Sequence, residues 1–98
     1  MYMSRDIMHC KPGKAKELVE SFKKLALVLK EQGRAPMRVY TDICGEDYWT
    51  VVVEQEIASL DEMAEMSRSA MTDERLQAAF KGYHDLVNSG RREYYKVE

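Results

Sequence analysis

The sequence predicts an α+β fold: a four-stranded antiparallel sheet in ferredoxin-like βαββαβ order, with the second helical element split in two. Three observations carry that expectation. The hydrophobic period switches between 2 and 3.6 in the order strand, helix, strand, strand, helix pair, strand. The stretch Tyr48 to Ile57, YWTVVVEQEI, alternates and is rich in β-branched and aromatic residues, which marks a strand with a helix-like segment on either side. Only Gly45-Glu46-Asp47 separates it from the strand before it, so those two form a hairpin and the remaining connections are helical crossovers.

Taken in order, Tyr2 to Cys10 reads as the first strand, with Met8 and Cys10 on one face and Met3, Ile7 and His9 on the other. It stops at Lys11-Pro12-Gly13, where proline removes a ladder donor and glycine permits a tight turn. From Lys14 the period is helical: Leu18, Phe22, Leu25 and Leu29 form a stripe widened by Val19, Ala26 and Val28, and Gly33 ends it. The second strand is Ala35 to Cys44. With Gly45 to Asp47 as the loop, Cys44 lies opposite Tyr48, and Met37, Val39, Thr41 and Ile43 face Trp49, Val51 and Val53. A two-residue loop would put Asp42 beside Trp49 on that apolar face.

Ser59 followed by Glu62 has capping-box spacing, so a second helix starts near Leu60 and uses Met63, Ala64 and Met66. Ser67 to Met71 is expected to interrupt it, with Thr72 capping a third helix, Asp73 and Glu74 in its first turn and Met71 stapled to Leu76. That helix is expected to run to about Val87 along Leu76, Ala79, Phe80, Tyr83, Leu86 and Val87, with Gly82 as its weak point. Asn88-Ser89-Gly90 ends it, and Arg91 to Glu98 is the last strand. Right-handed crossovers then place the first and third strands in the centre and the second and fourth at the edges. Both helical layers cover the face carrying Trp49, Val51 and Val53. The opposite face, with Arg38, Tyr40, Cys44, Tyr48, Thr50, Val52 and Glu54, suits a sheet-on-sheet homodimer, because its aromatic content matches an interface.

Composition bounds the function. A chain of 98 residues makes one domain, residues 1–98, and buries only roughly 60–65% of its unfolded surface, so a partner subunit would add useful burial. Fifteen Lys and Arg against 17 Asp and Glu leave a net charge of -2, which gives no electrostatic reason to expect nucleic acid or an anionic membrane. Cys10 and Cys44 form no CxxC and sit on separate predicted strands, as expected of free thiols in a reducing cytoplasm. There is no run of eighteen apolar residues and no signal-peptide pattern. No GxGxxG, phosphate loop, GxSxG or paired metal-ligand spacing occurs, so no cofactor and no metal is expected. RNA-recognition modules share this fold order, but their glycine and aromatic pattern is missing from both central strands.

The turn Lys11-Pro12-Gly13-Lys14, the Ser59-Leu60 helix start after a valine-rich strand, and Gly90-Arg91-Arg92-Glu93-Tyr94-Tyr95 together resemble the dimeric α+β barrel superfamily. Within it the chain looks like the NIPSNAP-like proteins and, more loosely, the antibiotic-biosynthesis and haem-degrading monooxygenases. The resemblance covers nearly the whole chain. It implies a homodimer of two sheets packed face to face, with a pocket in each subunit between sheet and helices.

Asp6 and His84 are the candidate catalytic residues, and Tyr40, Trp49 and Tyr83 the candidate substrate-binding ones. In the family pattern the face of Asp6, Met8 and Cys10 looks toward the helices, where a carboxylate is either paired with an arginine or raised in pKa. Haem-degrading members carry an asparagine at the position matching Asp6, and the aspartate here departs from that pattern. His84 suits a general base or an axial ligand, or simply a helix histidine; FKGYHDL does not reproduce the relatives' spacing. His9 is an edge or interface residue by the same reasoning. Trp49 suits ligand stacking or core packing, and Tyr40, Tyr48, Tyr94 and Tyr95 suit a cavity or a barrel interface. Met63, Met66 and Met71 are adaptable apolar fillers, and Arg91, Arg92 and Glu93 make a charged entry to the last strand. Two functions follow: a module that binds a small apolar or polycyclic molecule between sheet and helices, or a small monooxygenase or isomerase-like enzyme.

Overall fold

The computed structural model describes the whole chain, Met1–Glu98. Its elements are β1 (Tyr2–Cys10), α1 (Ala15–Glu31), β2 (Met37–Thr41), β3 (Thr50–Ile57), α2 (Leu60–Thr72), α3 (Glu74–Ala79), a 3₁₀ turn (Tyr83–Asp85) and β4 (Val87–Lys96). The sheet order is β2-β3-β1-β4, all antiparallel, with β1 and β3 central as expected. The molecule measures 35 × 34 × 18 Å, thin because helices cover one sheet face and leave the other bare. No helix is long and apolar enough to cross a membrane.

The core lies between Met8, Cys10, Val51 and Val53 of the central strands and the α1 stripe Leu18, Phe22, Leu25 and Leu29, with Leu76 and Ala79 of α3 closing it. Strand β3 alternates strictly between buried and partly buried residues from Thr50 to Gln55, the pattern of a strand with one covered face. Helix α1 stops where Gly33, at φ +72°, admits the left-handed turn that lets Arg34 N–H reach the Leu29 carbonyl at 2.9 Å. The β2–β3 register is the expected one, since Val39 meets Val53 and Thr41 meets Val51.

Several boundaries differ from expectation. Strand β2 ends at Thr41 because the Asp42 side chain accepts the Thr50 N–H at 2.8 Å, opening an eight-residue loop in place of the short one. Trp49 sits in that loop at φ +59°, so the strand alternation fails there and the residue is 44% exposed instead of facing the helices. Helix α2 runs unbroken through Ser67–Met71 and breaks at Asp73, whose carboxylate, rather than Thr72, caps α3 by accepting from Arg75 N and Leu76 N. Helix α3 ends at Ala79, not near Val87, because Gly82 takes φ +83° and turns the chain. Strand β4 therefore starts at Val87. Ser89 and Gly90 pair with His9 and Met8 of β1, and Asn88 is skipped at the irregularity between His9 and Cys10.

Candidate functional site

The strand alternation puts Ser4, Asp6, Met8 and Cys10 of β1 on the helix-covered face, and the β1–β4 register sets Asp6 opposite Arg92. Arg92 Nε donates to Asp6 Oδ1 at 2.6 Å and Arg92 Nη2 to Asp6 Oδ2 at 3.3 Å, a two-point ion pair across the strands. The hydrogen bond to Asp6 pushes the Arg92 pKa further up, against the opposing effect of its partial burial. Asp6 is therefore already engaged by a cation. It is not an idle base.

The turn made by Gly82 brings Tyr83 and His84 over the same spot. Phe22, Phe80, Tyr83 and His84 form a file of edge-to-face rings running from core to surface, with successive centroids 5.2, 5.7 and 5.3 Å apart. This file, together with Asp6, Met8, Gly90, Arg91 and Arg92, walls an open cavity of about 600 Å³. Burial first, and then the Asp6 carboxylate, push the Tyr83 phenol above its ordinary range. Its hydroxyl thus keeps its proton at neutral pH and serves as a donor.

Behind the Asp6–Arg92 pair a second, smaller cavity of about 140 Å³ lies between sheet and helices. Phe22, Leu25, Leu29, Val53, Met63 and Met66 give it apolar walls, with Ser4 and Gln55 as buried polar exceptions. Gln55 Nε2 is engaged by the Ala35 carbonyl at 2.8 Å. Asp6, Phe22, Phe80 and Arg92 line both cavities and so form the wall they share.

Of the five site residues expected from sequence, Asp6, Tyr83 and His84 meet at the outer cavity, while Tyr40 and Trp49 lie elsewhere. Tyr40 is on the bare face, donating to Glu54 at 3.2 Å; Trp49 is in the β2–β3 loop, 44% exposed, with its carbonyl accepting from Cys10 N. Tyr48 is exposed in the same loop. His9 bridges that loop to β3, with Nε2 3.6 Å from Asp47 and Nδ1 3.4 Å from the Thr50 hydroxyl. On the bare face Arg5 joins Glu54 at 2.9 Å and lies over the Tyr95 ring at 5.3 Å. There Glu93 accepts from Tyr95 and from Arg91. No group of three or more His, Cys, Asp or Glu side chains converges as metal ligands would. Sequence reasoning left out Arg92 as the partner of Asp6, and Phe22 and Phe80 as cavity walls. The alternation of β4 carried backward through Gly90 would have found Arg92, whereas the two phenylalanines look like ordinary core.

No protein-family model matches this chain, and no curated protein matches it. Solved structures share its fold. An uncharacterized NIPSNAP domain protein from Burkholderia xenovorans superposes with TM-score 0.82 at 16% identity, covering 100% of this chain and 95% of that one. A NIPSNAP family protein from Agrobacterium tumefaciens gives 0.82 at 20% identity, over 99% and 92%. An antibiotic biosynthesis monooxygenase gives 0.75 at 11% identity, over 100% and 99%. The ferredoxin-like α+β fold is thus that of NIPSNAP and antibiotic-monooxygenase structures, matching the resemblance read from the sequence.

Proposed function

We propose that this protein is a cytoplasmic homodimer, paired through the bare sheet face, that holds a small apolar or polycyclic molecule between sheet and helices in each subunit. The observation that carries the binding reading is the pair of adjoining cavities around Asp6 and Arg92, which a well-packed interior would not leave. The dimer reading rests on Ile7, Tyr40, Val52 and Tyr95 on an uncovered face, and on the aggregation of two such sheets implied by the NIPSNAP resemblance. Two free cysteines fit a reducing compartment.

The test uses a neutral apolar fluorophore, N-phenyl-1-naphthylamine. Binding with blue-shifted emission is expected, lost when Ser4→Leu fills the inner cavity and weakened by Phe80→Ala. No binding by a folded native protein overturns the reading. For the dimer, sedimentation should give twice the 11.4 kDa chain mass, and the mass of one chain at micromolar concentration removes it.

The convergence of Tyr83, His84 and Asp6 on one cavity favours a second reading, a small monooxygenase or isomerase-like enzyme of the antibiotic-monooxygenase type. His84 would then move a proton on a bound ligand. Deuterium wash-in at a ligand carbon, abolished by His84→Asn, carries its isomerase-like form, and its absence with a bound ligand in D₂O rejects that form.

A further inference from the structure

The donors and acceptors of the outer cavity are unequal, and the imbalance specifies a ligand class. The one carboxylate, Asp6, has both oxygens engaged by Arg92. Arg92 spends two of its five N–H groups there and also has the Tyr94 hydroxyl beside it, which leaves two. Arg91 lies opposite Ile7 and gives its Nε–H to Glu93 on the bare face, so Arg92 is the one side-chain cation of the cavity. Tyr83 supplies a hydroxyl whose environment is set by burial and charge, with no hydrogen bond to hold it. His84 supplies a ring N–H in either tautomer. The cavity wall therefore presents one cation, Arg92, beside the Tyr83 hydroxyl and the His84 ring N–H, while its one carboxylate is already engaged.

The inner cavity is the opposite. Ten of its fifteen lining residues are hydrophobic and it holds about 140 Å³, close to the roughly 150 Å³ that accommodates a benzene ring in an apolar protein cavity. The wall between the cavities is two phenylalanine rings and an ion pair whose side chains are 50% and 27% exposed. A pair that wet contributes little to stability, so sharing Arg92 with a second anion costs the fold little.

Building on the binding reading above, we infer that the ligand is an aryl-substituted carboxylate, with its ring in the inner cavity and its carboxylate held by Arg92 and Tyr83 at the outer one. Arg92 meets a carboxylate through its planar N–H groups, and the Tyr83 hydroxyl donates to the same oxygens. Asp6 acts as a positioning residue. It holds the Arg92 guanidinium through Nε and Nη2.

The probes are 3-phenylpropionate and its neutral isostere 3-phenylpropanamide, titrated into the native protein by heteronuclear NMR, which reads the weak binding expected of ligands this small. The carboxylate should bind roughly tenfold or more tightly than the amide. It should shift the amides of Tyr83, His84 and Arg92. Tyr83→Phe should cut the preference about threefold or more, and the charge-neutral double variant Asp6→Asn with Arg92→Gln should abolish it, so that carboxylate and amide bind alike. Equal binding of the two probes overturns the inference and leaves the cavity reading standing. Failure of both probes, together with failure of the naphthylamine, overturns both. Shifts confined to the bare face would also overturn the placement.

Discussion

The two thiols of this chain occupy opposite environments. Cys10 is buried at the end of β1, where desolvation and then the Asp42 charge push its pKa up, while Cys44 lies exposed in the β2–β3 loop. The thiolate is the reactive species. An alkylating reagent at pH 8 should therefore modify Cys44 alone in the native protein and reach Cys10 only on unfolding; two fast sites by mass spectrometry would contradict this burial. Tyr83 gives a pH prediction with a definite sign. Its folded pKa is raised, so its contribution to stability is complete below the ordinary phenol value of about 10 and is lost as pH rises beyond it, since the unfolded chain ionises first. Chemical denaturation of Tyr83→Phe should show a shallower decline than the native protein above pH 10 and the same slope between pH 6 and 8. At this scale the sequence made Asp6 legible, because strand alternation alone puts it beside Met8 and Cys10. Its engagement by Arg92 depends on a pairing across 86 positions of chain, which local pattern does not encode.

Among the elements, the joint between α2 and α3 rests on one side chain. Asp73 accepts from Arg75 N at 2.8 Å and Leu76 N at 3.4 Å, and its other oxygen accepts from Gln32 Nε2 at 2.7 Å, tying the joint to the end of α1. The Gln32 hydrogen bond, followed by those backbone donors, holds the carboxyl below the usual range. The sign is that of a depressed acid: the contribution is present above the ordinary carboxylate value near 3.9 and lost as pH falls through the lower folded value. Asp73→Ala should lower the thermal midpoint at pH 7, whereas Asp73→Asn should keep most of the cap and lose the acid-side dependence. The next turn is set by Gly82. Forcing a side chain into its φ of +83° should cost about 1–2 kcal/mol in Gly82→Ala, measured by denaturant midpoint, with Gly82→Asn better tolerated. That turn also carries Tyr83 and His84, so Gly82→Ala should weaken ligand binding as well. A helix stripe through Leu86 fits the same residues equally well, and the sequence offered no cue that glycine would turn the chain here rather than merely weaken a helix.

For the whole molecule, a single helix layer on a single sheet leaves one broad face uncovered, and only 13 of 98 residues are buried, so the isolated chain has little core to spare. Val52 lies at the middle of that face, opposite Ile7 on one side and Tyr40 on the other. Val52→Lys should convert the proposed dimer to a single-chain species by light scattering, while the cavity on the far side of the sheet still takes the neutral fluorophore. If the variant keeps twice the chain mass, the partner sits elsewhere. The sequence by itself determined the strand order, the central place of β1 and β3, the β2–β3 register and the α1 stripe, because periodicity and turn chemistry are local and each reports which face is covered. The tertiary structure alone decided where α3 stops, that Trp49 leaves the sheet face, and that Arg92 meets Asp6 beside Tyr83 and His84. Those outcomes depend on hydrogen bonds and ion pairs between segments far apart in the chain, and their balance is struck only once the sheet has closed.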